Sequence, residues 1–317
     1  MPTAATPREF ALDNLKLVRQ HWAGVRDADV ESIHQARIAL RRIRAALQVL
    51  YASDSDEIEL CRYLGRALGR VRDRDVMQEL FVGIGTRLPA AASAVGAIRR
   101  NVDGDRSRAA RRLIKTLDDV KLRPLARLPK RRRLPRLSFW TDWRLALPAQ
   151  LAQRTASLRE AIARTPATYM PNRLHRVRIA MKKLRYTLEV ARAAGVSIDR
   201  HLMRDLRKTQ DLLGGMHDLH VAGRLVDQFD APDKTVASEL NLLEAVMTAD
   251  LSALHAKYLS RRDHLHAMCD YSAKLAASRP ATWTMHMVMN ALPAAGLVAL
   301  PVAVWRLGAG GFEGSGA

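Results

Sequence analysis

Apolar residues recur at alternating steps of three and four along most of the chain. Between residues 33 and 50 the set is Ile33, Ala36, Leu40, Ile43, Leu47 and Leu50, and between 174 and 191 it is Leu174, Val177, Met181, Leu184, Leu188 and Ala191. That spacing gathers each set onto one stripe of an α-helix, as in a helix packed within a bundle. The same period predicts helices at roughly 8–26, 30–52, 55–82 and 88–122, then at 145–165, 171–194, 198–229 and 233–278, four in each half. Asp54 and Ser197 suit N-cap positions, and Pro171 suits an early helical one. Leu, Ala and Arg dominate and runs of β-branched residues are few, so the predicted fold class is all-α.

The polar positions repeat as well. His34-Gln-Ala-Arg37-Ile-Ala-Leu-Arg41-Arg42-Ile-Arg44 and His175-Arg-Val-Arg178-Ile-Ala-Met-Lys182-Lys183-Leu-Arg185 are one pattern at a constant offset (175 − 34 = 141 and 185 − 44 = 141), basic position for basic position. A second pair, Leu68-Gly69-Arg-Val-Arg72-Asp73-Arg-Asp75-Val76 and Leu213-Gly214-Gly-Met-His217-Asp218-Leu-His220-Val221, lies at an offset of 213 − 68 = 145. The offsets differ by about one helical turn, so the duplication spans whole helices. It predicts two pseudo-equivalent four-helix units, residues 1–122 and 145–279. A basic, Pro-containing linker (123–144) joins them and an apolar tail (280–317) follows. Lys121–Arg136 holds eight basic residues, no acidic one and three prolines that preclude a continuous helix. A solvated connector and a second anion-binding element both fit it.

Charge gives the repeat its meaning. Across 317 residues, 52 Lys and Arg outnumber 32 Asp and Glu, for a net charge of +20. Such an excess repels itself in the folded state and attracts polyanions. On a helical wheel His34, Arg37, Arg41 and Arg44 fall within about 80° and form a ladder about 15 Å long. The ladder borders the apolar stripe, which lets stems bury while the heads stay wet. Arginine forks match phosphate oxygens two at a time, and lysine supplies a point charge. Like charges at these spacings cost the bare helix a few tenths of a kcal/mol per pair. No acid lies within the first ladder, and Glu189 comes only beyond Arg185 in the second, so an external anion is the expected counter-ion. His34 and His175 each precede cations at i+3 and i+7, which disfavours their protonation until an anion arrives.

Enzyme readings fare poorly. Glu31-Ser-Ile-His34 has the spacing of a di-iron ligand pair, but Asn172 stands where the second copy needs Glu. His217-Asp218-Leu-His220 looks ligand-like, yet the first copy offers Arg72 and Asp75 there. Gly69 and Gly214 are expected to permit close helix approach, and Asp73 and Asp218 to cap or pair locally. There is no phosphate-cradling Gly-rich loop ending in Lys-Ser/Thr and no nucleophile elbow. No catalytic residue, metal or cofactor is expected. Cys61 and Cys269 lie far apart without metal spacing, and no apolar run follows Met1, so a reducing cytoplasm is the expected setting.

The His-x-x-Arg-Ile-x-x-Arg/Lys-Arg/Lys-x-Arg signature, twice, with the Leu-Gly-x-x-Arg/His-Asp segments, resembles the CHAD family, the conserved-histidine α-helical domain. The similarity runs from about residue 8 to 278. It implies two pseudo-two-fold-related four-helix bundles with a shared basic groove that binds inorganic polyphosphate, in association with polyphosphate granules. The ligand-facing set it implies is His34, Arg37, Arg41, Arg42, Arg44, His175, Arg178, Lys182, Lys183 and Arg185, with Arg62, Arg207 and Lys208 secondary. The Glu-x-Glu-x-Lys signature of the triphosphate-tunnel domain fused to some members is absent, so the likeness is to the stand-alone form. Two other readings stay open. One is nucleic-acid binding, weakened by scarce aromatics for stacking. The other is a coat on a membrane or granule surface, attached through residues 281–307. Ala281–Trp305 contains no Lys, Arg, Asp or Glu and is long enough to span a bilayer, though its two prolines make a poor helix.

Overall fold

The computed structural model describes residues 6–51, 55–120, 125, 128 and 143–278. Among the described residues the regular structure is entirely helical, and the all-α fold class holds. The helices are α1 (Pro7–Gln20), α2 (Trp22–Arg26), α3 (Val30–Leu50), α4 (Asp56–Arg87), α5 (Ala92–Asp119), α6 (Trp143–Ala163), α7 (Pro171–Ala193), α8 (Arg200–Asp227), α9 (Lys234–Leu259) and α10 (Arg262–Ala277). They lie in one compact unit, residues 1–277; residues 278–317 make a second. The apolar tail expected at 280–317, and most of the linker expected at 123–144, lie outside the described residues.

Capping side chains set several starts. Thr6 and Glu9 form a reciprocal capping box on α1. Asp29 accepts from the Ser32 amide at 2.8 Å to open α3, and Pro171 occupies the first turn of α7 as expected. Two expected caps shift. Ser55 caps α4, Asp54 lying outside the described residues, and Asp199 rather than Ser197 caps α8, accepting from the His201 amide at 2.7 Å. Two expected helices are each two. The 8–26 segment breaks at His21, and 233–278 breaks at Ser260–Arg261, so each half carries more than four helices.

Both apolar stripes are buried along their full length. The α3 stripe packs against α1 and α4, and α3 also contacts α7 of the second repeat. A second seam joins the repeats through Phe81 and Ile84 of α4, Ile98 of α5, Ala222 and Val226 of α8, and Leu243 of α9. Truncating a side chain such as Phe81 there would cost about 3–5 kcal/mol. At the start of α3, Arg106 donates to the buried Asp75 carboxylate (2.6 Å) and to the Ala28 carbonyl (2.8 Å). That bond ties down a turn in which Ala28 takes φ of 55°, an uncommon conformation for a residue other than glycine.

Candidate functional site

The two ladders meet. Arg42 of α3 donates to the Glu189 carboxylate of α7 at 2.8 Å, and Glu189 also lies 3.7 Å from Arg185 of its own helix. Further along the same seam, Arg37 and Arg41 feel the charges of Arg178 and Lys182, and Arg44 and Lys183 feel each other. Residues 37–44 of α3 and 178–189 of α7 are thus brought together at one seam between the repeats.

The two sequence motifs prove to be halves of one contact, made twice. In the first repeat Arg37 of α3 donates to Asp73 of α4 at 3.1 Å, and His34 feels Arg72. In the second, Arg178 feels Asp218 of α8, and the His175 and His217 rings lie 5.0 Å apart. Asp73 and Asp218 are mid-helix and cap nothing; Asp73 pairs across helices with Arg37, and Asp218 acts on Arg178 through its charge, contrary to the local role expected. Gly69 does allow a close approach, but of a side chain. A Cβ there would lie 3.3 Å from the Arg37 guanidinium, whereas one at Gly214 would meet nothing within 4 Å.

The expectation of ladders without internal acids needs correction. Glu189 is nearly buried and holds both Arg42 and Arg185, while Arg185 also lies over the Tyr186 ring. These two expected ligand cations therefore already have a partner within the fold. Arg37 has the more exposed Asp73. Among the described residues, no carboxylate lies within ion-pair distance of Arg41, Arg44, Arg178, Lys182 or Lys183. The Nε atoms of Arg37, Arg178 and Arg185 are buried with no hydrogen-bond partner, the last at ion-pair but not hydrogen-bond distance from Glu189.

Electrostatics record this crowding. Burial, reinforced by Arg178, Arg41 and Arg37, pushes the Lys182 ammonium down to about 7. Burial beside Arg178, His175 and Lys182 takes His217 down to about 4. His175 and His34 are lowered in the same way, first by burial and then by Arg178 and Arg72 respectively. Burial lowers Arg37, Arg44 and Arg178 too, with neighbouring guanidinia adding to it. Arginine stays charged regardless. The direction of its shift marks charge that the fold leaves poorly compensated and that a bound anion would relieve.

The cluster reaches beyond the expected set. Arg154 of α6, which also donates to the Gln48 side chain, adds its charge near Lys183, as does Arg62 of α4. Arg62 also pairs with Glu59. Arg207 and Lys208 are exposed on α8, and none of the shifted cluster groups senses them. No periodic signal pointed to Arg154. Arg72 was visible only as the counterpart of His217. A cavity of about 750 Å³ lies beside the seam, not in it; its Asp75, Glu79 and Asp103 offset its Arg99, Arg100 and Arg106, so it offers a polyanion no net attraction.

A family model for the CHAD domain matches residues 10–227. The chain belongs to the CHAD family. CHAD domains in general bind polyphosphate. The fold is similar to the crystal structure of the CHAD domain from the plant Ricinus communis, at 24% identity and a TM-score of 0.60, over 84% of this chain and 93% of that one. It is also similar to PptA from Streptomyces chartreusis, at 18% identity and a TM-score of 0.65, over 81% of this chain and 96% of that one. No curated protein matches. Among the described residues, no group of three or more His, Cys, Asp or Glu is arranged to hold a metal ion, and no helix is long and apolar enough to cross a membrane.

Proposed function

We propose that this CHAD protein binds inorganic polyphosphate, without catalysing its turnover, along the cationic seam between α3 and α7. The observation that carries the reading is the meeting of Arg41, Arg178 and Lys182 with no described carboxylate in ion-pair distance. A flexible anionic chain can follow the ladder from His34 and His175, past Arg37, to Arg44, Lys183, Arg62 and Arg154. Each well-formed charged contact contributes about 1.5–3 kcal/mol, without additivity. Arg42 and Arg185, held by Glu189, serve the seam's geometry and field more than direct contact. Cytoplasmic polyphosphate granules are the corresponding place of action.

Calorimetric titration with phosphate polymers of defined length tests this. Affinity should climb with chain length, and long-chain polyphosphate should displace duplex DNA at moderate salt while DNA fails to displace polyphosphate. Equal exchange in both directions would favour the nucleic-acid reading. Ionic strength must be fixed throughout, since both associations release counter-ions.

A further inference from the structure

Two kinds of acid serve the ladder cations. Glu189 behaves as a structural counter-ion: its side chain is 6% exposed, and it meets Arg42 across the seam and Arg185 on its own helix. Asp73 does not: its side chain is 63% exposed and meets one fork of Arg37, which is itself only 20% exposed. Asp218 is its equivalent in the second repeat, facing Arg178 and Lys182. The two aspartates also feel each other across the junction, a like-charge neighbourhood that neither gains from. Gly69 leaves room for the Arg37 guanidinium beside Asp73. Asp73 therefore sits on the cationic surface beside Arg37, and the half-buried Asp218 holds the matching place in the second repeat.

We infer that Asp73 and Asp218 are built-in competitors for the ladder arginines and set a minimum length for the phosphate chain that the seam retains. This rests on the polyphosphate reading and deepens it. A monophosphate or other short anion that reaches Arg37 must expel Asp73. It gains one charge-assisted contact, forfeits another, and remains beside a repelled carboxylate. At Arg178 the half-buried Asp218 lies beyond ion-pair distance and opposes a short anion by charge repulsion alone. A longer chain continues to Arg41, Lys182, Arg44 and Lys183, where each new contact displaces no described acid. Short phosphates are thus turned away by the acids, and long ones outbid them through number.

The test compares the full-length chain with its Asp73→Asn/Asp218→Asn variant, titrated with tripolyphosphate and with long-chain polyphosphate at one pH and ionic strength. Asparagine keeps the shape and an acceptor oxygen while removing the charge. Tripolyphosphate affinity should rise about tenfold, equivalent to about 1.4 kcal/mol, and long-chain affinity by much less, so the ratio between them narrows. An unchanged or weakened tripolyphosphate affinity, or the same gain for both polymers, overturns the inference. Asp13→Asn, which removes one charge from α1, should leave the ratio where it was; a matching change there also overturns it. Should the half-buried Asp218 prove indispensable for folding, Asp73→Asn alone must still narrow the ratio. If the unmodified protein fails to bind long-chain polyphosphate, the parent reading falls. If it binds but the ratio does not move, only this inference does.

Discussion

Lys182 shows at the scale of one residue how the fold stores affinity. Its ammonium is packed among Arg178, Arg41 and Arg37 and titrates near 7 in place of its usual 10.5. A bound polyanion restores the charged form, so its value in the complex is higher than in the free protein. Both states are protonated below the free value. Affinity is therefore greatest on the acid side of 7 and falls as pH rises through and beyond it. Titrations at fixed ionic strength across pH 6–9 should show this decline, and Lys182→Arg should flatten it; a profile already flat in the unmodified protein would contradict the assignment. The stability of the free protein moves the other way. A base depressed on folding imposes its penalty in full below its folded value and loses it as pH climbs from about 7 toward 10.5. Lys182→Met should accordingly stabilise the free protein by about 1–2 kcal/mol in urea melts at pH 6 while weakening polyphosphate binding.

At the scale of elements, one acid holds two helices in register. Removing Glu189 as Glu189→Ala leaves Arg42 and Arg185 without their shared partner at the α3–α7 seam, and denaturant melts should register a loss of about 3 kcal/mol. The duplicated glycines should part company. Gly214→Ala meets open space inside α8 and should add about 0.5–1 kcal/mol with binding intact. Gly69→Ala crowds the Arg37 guanidinium and should gain less stability and alter affinity. The hydrophobic period made the helical stripes legible, and every stripe position named from it is buried. It did not reveal the break at His21 or at Ser260–Arg261, because neither carries Gly or Pro and the apolar spacing continues through both. The choice of Asp199 over Ser197 was equally hidden, since either side chain can cap. The ladders were legible through their duplication. Their acids were not: Asp73 reaches Arg37 from another helix, and Glu189 reaches across the repeats, and sequence period alone fixes neither rotation.

Across the whole molecule, a net charge of +20 attracts any polyanion, and the attraction must weaken with salt. What separates a seam from a diffuse basic surface is where the charges count. Arg41 and Arg178 stand on opposite repeats and converge on Lys182, whereas Arg131 and Arg132 belong to the basic Pro-containing stretch between the repeats. Reversing either pair to glutamate removes the same charge from the chain. The most direct test is therefore the affinity for long-chain polyphosphate of Arg41→Glu/Arg178→Glu beside Arg131→Glu/Arg132→Glu, both at one ionic strength and with folding checked by thermal melting. The seam pair should lose at least about a hundredfold, near 2.7 kcal/mol, and the other pair less than about fivefold; equal losses from the two would contradict the account.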